Sequence, residues 1–375
     1  MGELVALDLP AGPAFVDALR AAWDAGDAVL PVDPRLPTPA AERLLDSLRP
    51  SRVVTSDGTH HRRGATPIEP GDALVVPTSG TSGEPKGVVH THASVTASAV
   101  ATSAALDVDP HRDRWVACLP LAHIGGLSVV TRSVVTATRC TVLEHFDAAA
   151  VEDEARRGAT LVSLVATALG RCDASGYRAV LVGGAAPPAT RPANVVTTYG
   201  MTETGSGCVY DGHPLDGVEL RIGDGALGAE GEVLVRGPML LRAYRDGSDP
   251  RLPGGWLPTG DSGRLADDGD LTVFGRMGEV IVTGAEKVWP APVEDVLGTL
   301  PSVDQVAVWK RPDPDWGERV VAWVVVRDGA DPPALEEMRD LVATRLAPYA
   351  APKELVVVDA LPRTAGGKVR RADLT

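Results

Sequence analysis

The sequence predicts a large α/β N-terminal domain followed by a small α+β C-terminal domain, in a chain of 375 residues. Three observations carry that prediction. Apolar β-like runs alternate with helix-like segments through the first two-thirds. From Val218 the alternation gives way to short strands separated by glycine-rich turns. After Gly275-Arg276 a compact mixture of strands and helices closes the chain. Alternation of the first kind implies helices layered on a largely parallel sheet.

Taken in order, Ala73-Leu74-Val75-Val76 is a short apolar run of the kind that forms a buried strand, and the Ala-, Ser- and Val-rich stretch 93–106 reads as a helix. Strands are expected over 114–119, 140–143, 160–165, 179–182 and 195–198, with helices over 126–138 and 147–157 between them. Segments 218–222, 232–235 and 271–274 predict a small β-subdomain with the curvature of a distorted barrel. The final part reads as strand 280–283, helix 291–300, strands 305–309 and 319–326, helix 333–346 and strand 355–358. The domain boundary is placed between 1–275 and 276–375.

Composition is globular, with 44% apolar and 23% charged residues, and the length suffices for two or three cores. The 40 glycines and 31 prolines imply many turns. No apolar run is long enough to span a bilayer. Met1-Gly2-Glu3-Leu4 lacks the basic-then-apolar order of a signal peptide. Cys118, Cys140, Cys172 and Cys208 are far apart, so they read as reduced cysteines of a cytoplasmic protein rather than a zinc site or disulfide framework. A net charge of −14 argues against broad nucleic-acid binding. Anionic substrates then need local basic groups or a divalent metal.

The most distinctive stretch is Pro77-Thr78-Ser79-Gly80-Thr81-Ser82-Gly83-Glu84-Pro85-Lys86-Gly87. It reads as a mobile loop from the strand at 73–76 to the helix at 93–106. Its backbone N–H groups, hydroxyls and lysine suit a polyphosphate. It is not the common P-loop, because Lys86 follows Pro85 and precedes Gly87. Further along, Thr197-Thr198-Tyr199-Gly200-Met201-Thr202-Glu203-Thr204 offers an aromatic face, hydroxyls and a carboxylate. Val182-Gly183-Gly184-Ala185 ends a strand in a tight turn. Trp256-Leu257-Pro258-Thr259-Gly260-Asp261 carries an acid that, taken alone, marks a turn. Gly275-Arg276-Met277-Gly278-Glu279 contains a glycine able to absorb a large backbone change. Leu361-Pro362-Arg363-Thr364-Ala365-Gly366-Gly367-Lys368 opens a basic tail, and Pro120-Leu121-Ala122-His123 places a histidine after a strand. His60-His61 and His90-Thr91-His92 lack metal-site spacing and receive no role.

In this order, from Thr78 to Lys368, these motifs resemble those of the adenylate-forming enzymes, the superfamily of acyl-CoA synthetases, nonribosomal-peptide adenylation domains and luciferases. The resemblance covers the chain from about Pro31 onward. It implies a large N-terminal domain, shortened at its front, and a small mobile C-terminal one. It implies that Thr78, Ser79, Gly80, Thr81, Ser82, Gly83 and Lys86 hold the phosphates of ATP. By the same resemblance Gly183 and Gly184 lie beside adenine, Tyr199 packs on it, and Gly200 and Met201 complete that wall. Thr202 contacts the α-phosphate, Glu203 holds Mg2+, and Asp261 and Arg276 reach the ribose. Lys368 enters the site during adenylation. His123 lines the acyl site and the pantetheine channel, and Gly284 faces that channel for CoA. Gly278, where relatives often carry Asp, marks the hinge.

Leu119–Leu127 with Arg132 and Ser133, and Gly200–Val218, resemble more narrowly the short actinobacterial members that activate o-succinylbenzoate for menaquinone biosynthesis. That implies ATP, Mg2+ and CoA as cofactor set and co-substrate, with the acid bound by His123, Gly126, Arg132, Gly200 and Thr204. It implies small-molecule partners without nucleic acid or a membrane span, and leaves a homodimer open. Arg132 has two readings: a surface arginine on an amphipathic helix, or the group that binds the aromatic carboxylate of the acid. Three alternatives stay open as well: another acyl- or aryl-CoA ligase, a stand-alone adenylation domain that loads a carrier protein, and a non-catalytic nucleotide-binding relative.

Overall fold

A computed structural model of the protein describes residues 2–79, 85–184, 191–223, 228–363 and 369–374. The chain opens with β1 (Leu4–Asp8), α1 (Pro13–Asp24), β2 (Ala28–Pro31), α2 (Thr38–Leu48), β3 (Arg52–Thr55), β4 (Gly58–His61), β5 (Asp72–Ser79), β6 (Pro85–Thr91) and α3 (His92–Ala105). It continues through β7 (Arg114–Ala117), α4 (Ile124–Thr136), β8 (Arg139–Val142), α5 (Ala148–Arg156), β9 (Leu161–Val165), α6 (Ala166–Leu169), β10 (Ala179–Gly183), β11 (Val195–Met201), β12 (Ser206–Tyr210) and β13 (His213–Pro214). Next come β14 (Glu219–Ile222), β15 (Glu230–Arg236), β16 (Ala243–Tyr244), β17 (Leu257–Leu265) and β18 (Leu271–Arg276). The end is β19 (Ile281–Thr283), β20 (Glu286–Val288), α7 (Pro290–Leu297), β21 (Val303–Asp313), β22 (Gly317–Val326), α8 (Leu335–Arg345) and β23 (Glu354–Val357).

Packing divides the chain into two compact units. The first comprises Met1–Arg221, Leu234–Pro258 and Asp268–Leu271. The second comprises Ile222–Val233, Thr259–Asp267 and Thr272–Thr375.

The first unit holds two seven-stranded sheets, ordered β16-β6-β5-β2-β1-β3-β4 and β13-β12-β11-β10-β9-β7-β8. Their centres are parallel; the first sheet has antiparallel pairs at both edges, whereas the second has them at its β11-β12-β13 edge and pairs β7 with β8 in parallel at the other. The parallel strands are apolar almost throughout, as burial on both faces requires. Val5, Ala6 and Leu7 of β1 and Val180, Leu181 and Val182 of β10 are all buried. In the second sheet Val116, Val162, Val180 and Val195 pack with Val151 of α5 and Ala168 of α6. Helix starts follow local chemistry. The Thr91 hydroxyl accepts from the Ser94 amide and the Ser94 side chain returns the bond, a capping box for α3. Asp147 caps α5 through the Ala150 amide.

The second unit contains much of the four-stranded sheet β14-β15-β17-β18 and a five-stranded sheet in which β20-β19-β22-β21 run in order and β23 joins β22. Its main core gathers Ile281, Val293, Leu297, Val308, Val320, Met338 and Val342. Among the described residues no helix is long and apolar enough to cross a membrane.

Two expectations need correction. The glycine- and serine-rich stretch does not lead from a strand into a helix. It joins two antiparallel strands, with Thr78 opposite Lys86, so Lys86 stands on β6. Pro85 and Gly87 hide that strand from a reading by turn residues, whereas Val88 and Val89 are β-branched and buried. The short strands after Val218 line up as a sheet and not as a barrel. Thr259-Gly260-Asp261, residues that taken alone mark a turn, stand within β17.

Gly126, in the first turn of α4, packs directly on the preceding chain. A Cβ there would lie 2.4 Å from the Leu119 carbonyl oxygen and 2.5 Å from that of Pro120. Backbone atoms cannot swing aside. Gly126→Ala is therefore expected to destabilise the first unit by about 1–3 kcal/mol. Thermal unfolding checks this, and an unchanged melting temperature contradicts it.

Candidate active site

Paired strands bring the first two motifs together. Lys86 on β6 lies with its Nζ 5.1 Å from the centre of the Tyr244 ring. The Tyr244 hydroxyl donates to Glu203 Oε1 at 3.0 Å. Tyr244 stands on β16, which pairs with β6 through Val88. Burial first, and the Glu203 carboxylate second, push the Tyr244 pKa up, so the phenol keeps its proton and remains a donor. Sequence reading missed Tyr244. Its only signal was an aromatic residue among arginines in a turn-rich stretch, too weak to stand out.

Glu203 belongs to a short 3-10 turn, Thr202–Thr204, that follows β11. The Leu241 amide donates to its carbonyl at 2.8 Å. Thr202 and Glu203 are half-buried, as are Tyr199 and Met201 just before them. Gly200 sits where the β11–β12 register shifts. Gly183 and Gly184 close the neighbouring strand β10. Thr204 does not fit the expected contact with the acid. It is buried, its Oγ1 accepts from the Met201 amide at 2.9 Å, and it reaches the Ser206 carbonyl at 2.6 Å. Its hydroxyl shapes the turn. Gly80, Thr81, Ser82, Gly83 and Lys368 lie outside the described residues.

The reading of Arg132 as a surface arginine is overturned. Arg132 is 2% exposed and lines a small pocket between α3 and α4, with Ser128 and Thr131 of its own helix, Ser98 of α3 and Ile124. Its guanidinium lies 4.8 Å from the centre of the Trp115 ring. Nε and Nη1 are buried and have no hydrogen-bond partner among the described residues. Burial lowers its pKa, and Tyr210 and Cys140 oppose that effect. Arginine nevertheless stays charged in proteins. The pocket wall thus carries a cation with donors to spare, an arrangement that asks for an anionic ligand. His123 stands at the residue before α4 and is exposed, and Gly126 is buried one turn on.

The second unit carries the other predicted residues. Arg276 Nε lies 3.0 Å from Asp261 Oδ1, and its Nη1 donates to the Thr259 carbonyl at 2.7 Å. The Asp261 carboxylate is buried beside an arginine that is half in solvent. Such a pair can accept and donate to a diol. Gly278 lies in a short exposed turn with nothing within 4 Å of a Cβ there. Gly284 has φ +59, and a Cβ on it would lie 2.5 Å from the Trp316 ring.

No group of three or more His, Cys, Asp or Glu among the described residues would hold a metal alone. A single carboxylate, Glu203, fits a Mg2+ ion whose remaining ligands are phosphate oxygens and water.

The model of the AMP-binding enzyme family matches residues 61–245, and that of the AMP-binding enzyme C-terminal domain matches 292–368. The chain belongs to this family, the adenylate-forming enzymes. Within it, the chain is 41% identical over 367 residues to a probable 2-succinylbenzoate–CoA ligase of Mycobacterium tuberculosis, covering 90% of this chain and 93% of the relative. It is 32% identical to the 2-succinylbenzoate–CoA ligase of Listeria monocytogenes, over 80% of this chain and 69% of that one. The o-succinylbenzoate CoA synthetase of Bacillus subtilis, solved with the acyl-adenylate intermediate OSB-AMP, superposes with a TM-score of 0.86 at 30% identity. That match covers all of this chain and 88% of the other. The same enzyme solved with ATP and magnesium gives a TM-score of 0.85.

An unpaired buried guanidinium costs stability, and apolar replacements of buried ionic groups are often neutral or stabilising. Arg132→Met is expected to melt no lower than the wild type in the absence of ligand. A drop of several degrees would show that Arg132 stabilises the free protein.

Proposed function

We propose that this chain ligates o-succinylbenzoate to coenzyme A by way of an acyl-adenylate, in the cytoplasm and as a step of menaquinone biosynthesis. The observation that carries the choice of acid is Arg132. o-Succinylbenzoate has two carboxylates. One is activated, and the aromatic one needs a partner when it leaves water. Arg132 offers charge and unpaired donors in a pocket otherwise lined by apolar and hydroxyl side chains and the His90 ring. The names of the mycobacterial, Listeria and Bacillus relatives agree with that choice.

In the first half-reaction a succinyl carboxylate oxygen attacks the α-phosphorus of ATP. The bond to the bridging oxygen breaks, pyrophosphate leaves, and acyl-AMP forms. Thr78, Ser79 and Lys86 hold the phosphates together with the loop from Gly80 to Gly83. Thr202 donates to the α-phosphate, and Asp261 and Arg276 bind the ribose hydroxyls. Tyr199, Gly200 and Met201 form one wall for adenine, and Gly183 and Gly184 the other. Glu203, oriented by the Tyr244 hydroxyl, would hold Mg2+, which when bound neutralises phosphate charge. Lys368 bridges carboxylate and α-phosphate as negative charge accumulates. In the second half-reaction the CoA sulfur attacks the acyl carbon and AMP leaves with the carboxyl oxygen it gained. Residues 276–375 turn about Gly278 between the steps. Gly284 and His123 then border the pantetheine path.

The direct test follows pyrophosphate release and free CoA thioester with o-succinylbenzoate as the acid. Pyrophosphate exchange without a CoA thioester would point to carrier-protein loading instead.

Lys368→Ala should slow acyl-adenylate formation on the order of 100-fold or more, while CoA still captures presynthesised acyl-AMP. Equal losses in both half-reactions would remove Lys368 from its role.

Arg132→Ala should raise KM for o-succinylbenzoate about 10- to 100-fold, the worth of hydrogen bonds to a charged group. 4-Phenyl-4-oxobutanoate, which lacks the ring carboxylate, should suffer much less. If both acids lose the same factor, the ring carboxylate binds elsewhere.

A further inference from the structure

His90 is a buried titratable group that the mechanism above leaves unused. It lies on β6, the strand that carries Lys86, and is 1% exposed. Its Nε2 is 2.7 Å from the carbonyl oxygen of Thr202, and its Nδ1 is 3.3 Å from Ser94 Oγ. A carbonyl oxygen only accepts, so Nε2 carries the hydrogen, and Nδ1 accepts from the serine hydroxyl. Burial holds the imidazole pKa down at about 4, so the ring stays neutral through the physiological range. The same ring lines the pocket of Arg132 and lies beside Gly205, which closes the Thr202–Thr204 turn.

The Thr202 carbonyl belongs to the peptide plane that joins Thr202 to Glu203. Fixing its oxygen fixes the direction in which both side chains leave the turn. The Leu241 amide fixes the next carbonyl, that of Glu203. Of these two contacts, only His90 comes from the strand of the phosphate loop, and only His90 also forms part of the acid pocket. We propose that His90 is a positioning residue for adenylation, which sets the Thr202–Glu203 turn against the Lys86 strand and joins that turn to the pocket of the acid. The proposal rests on the reading of Thr202 and Glu203 as phosphate- and Mg2+-facing groups.

The test compares His90→Leu, which removes the donor at similar size, with His90→Gln, which keeps one. Thr202→Ala serves as the control on the parent reading. The measurement is ATP–pyrophosphate exchange with o-succinylbenzoate. In His90→Leu, kcat should fall about tenfold or more while KM for ATP changes little, since a lone unsatisfied carbonyl corresponds to a factor of that size. His90→Gln should recover most of the rate. A folded His90→Leu enzyme with full kcat, or equal losses in Leu and Gln, overturns the role. An intact rate in Thr202→Ala overturns the reading of the turn and the proposal built on it. A lost rate in Thr202→Ala with an intact one in His90→Leu overturns His90 alone. Should His90→Leu fail to fold, nitrogen-15 NMR of the wild-type imidazole decides: a ring protonated on Nε2 supports the contact, and one protonated on Nδ1 contradicts it.

Discussion

Backbone pairing of β6, to β5 on one edge and to β16 on the other, is the constraint on which the site depends. Ladder hydrogen bonds set side chains at fixed spacings along a strand. Lys86 is thereby placed over Tyr244, and Tyr244 is placed to hold Glu203. His90, further along the same strand, reaches Thr202. One edge of one sheet therefore aligns β6 with a turn more than a hundred residues away in sequence. None of these side chains needs a long excursion to meet its partner, so little conformational entropy is lost when substrate arrives.

A second constraint is electrostatic. A chain with net charge −14 must bind anions, so its cations have to be local and directed. In its proposed role Arg132 meets that need at the expense of the free protein. Its guanidinium rests on Trp115 and keeps buried donors without a partner among the described residues. Cation–π contact offsets part of the desolvation and a bound carboxylate offsets more. This is the expected form of a specificity group. On that proposal an acid without the second carboxylate would leave the charge uncompensated, and discrimination would arise from that penalty.

In the second unit the Asp261–Arg276 pair joins β17 to the end of β18, immediately before the turn that contains Gly278. A pair proposed to meet the nucleotide thus adjoins the segment proposed to rotate. Gly284 owes its identity to shape: with φ +59 and the Trp316 ring against it, any side chain would collide.

The sequence by itself determined the α/β class, most element positions, the order of the motifs and the chemistry each motif offers. These depend on local properties. Apolar runs such as Val180–Val182 mark strands whatever they pair with, and glycines, hydroxyls and single charges declare their chemistry in isolation. β6 was not legible, because Pro85 and Gly87 read as loop and only pairing with β5 makes the segment a strand. Neither was the role of Thr204, whose hydroxyl is taken up by backbone atoms that only the folded turn brings near. Burial of Arg132, the Tyr244–Glu203 bond and the His90–Thr202 bond were likewise decided by tertiary structure. Each depends on which distant segment lies across the sheet or the helix pair. Helical periodicity could say that Arg132 sits among valines, but not that α3 and Trp115 close over it, since burial is a property of neighbours and not of the chain that carries the residue.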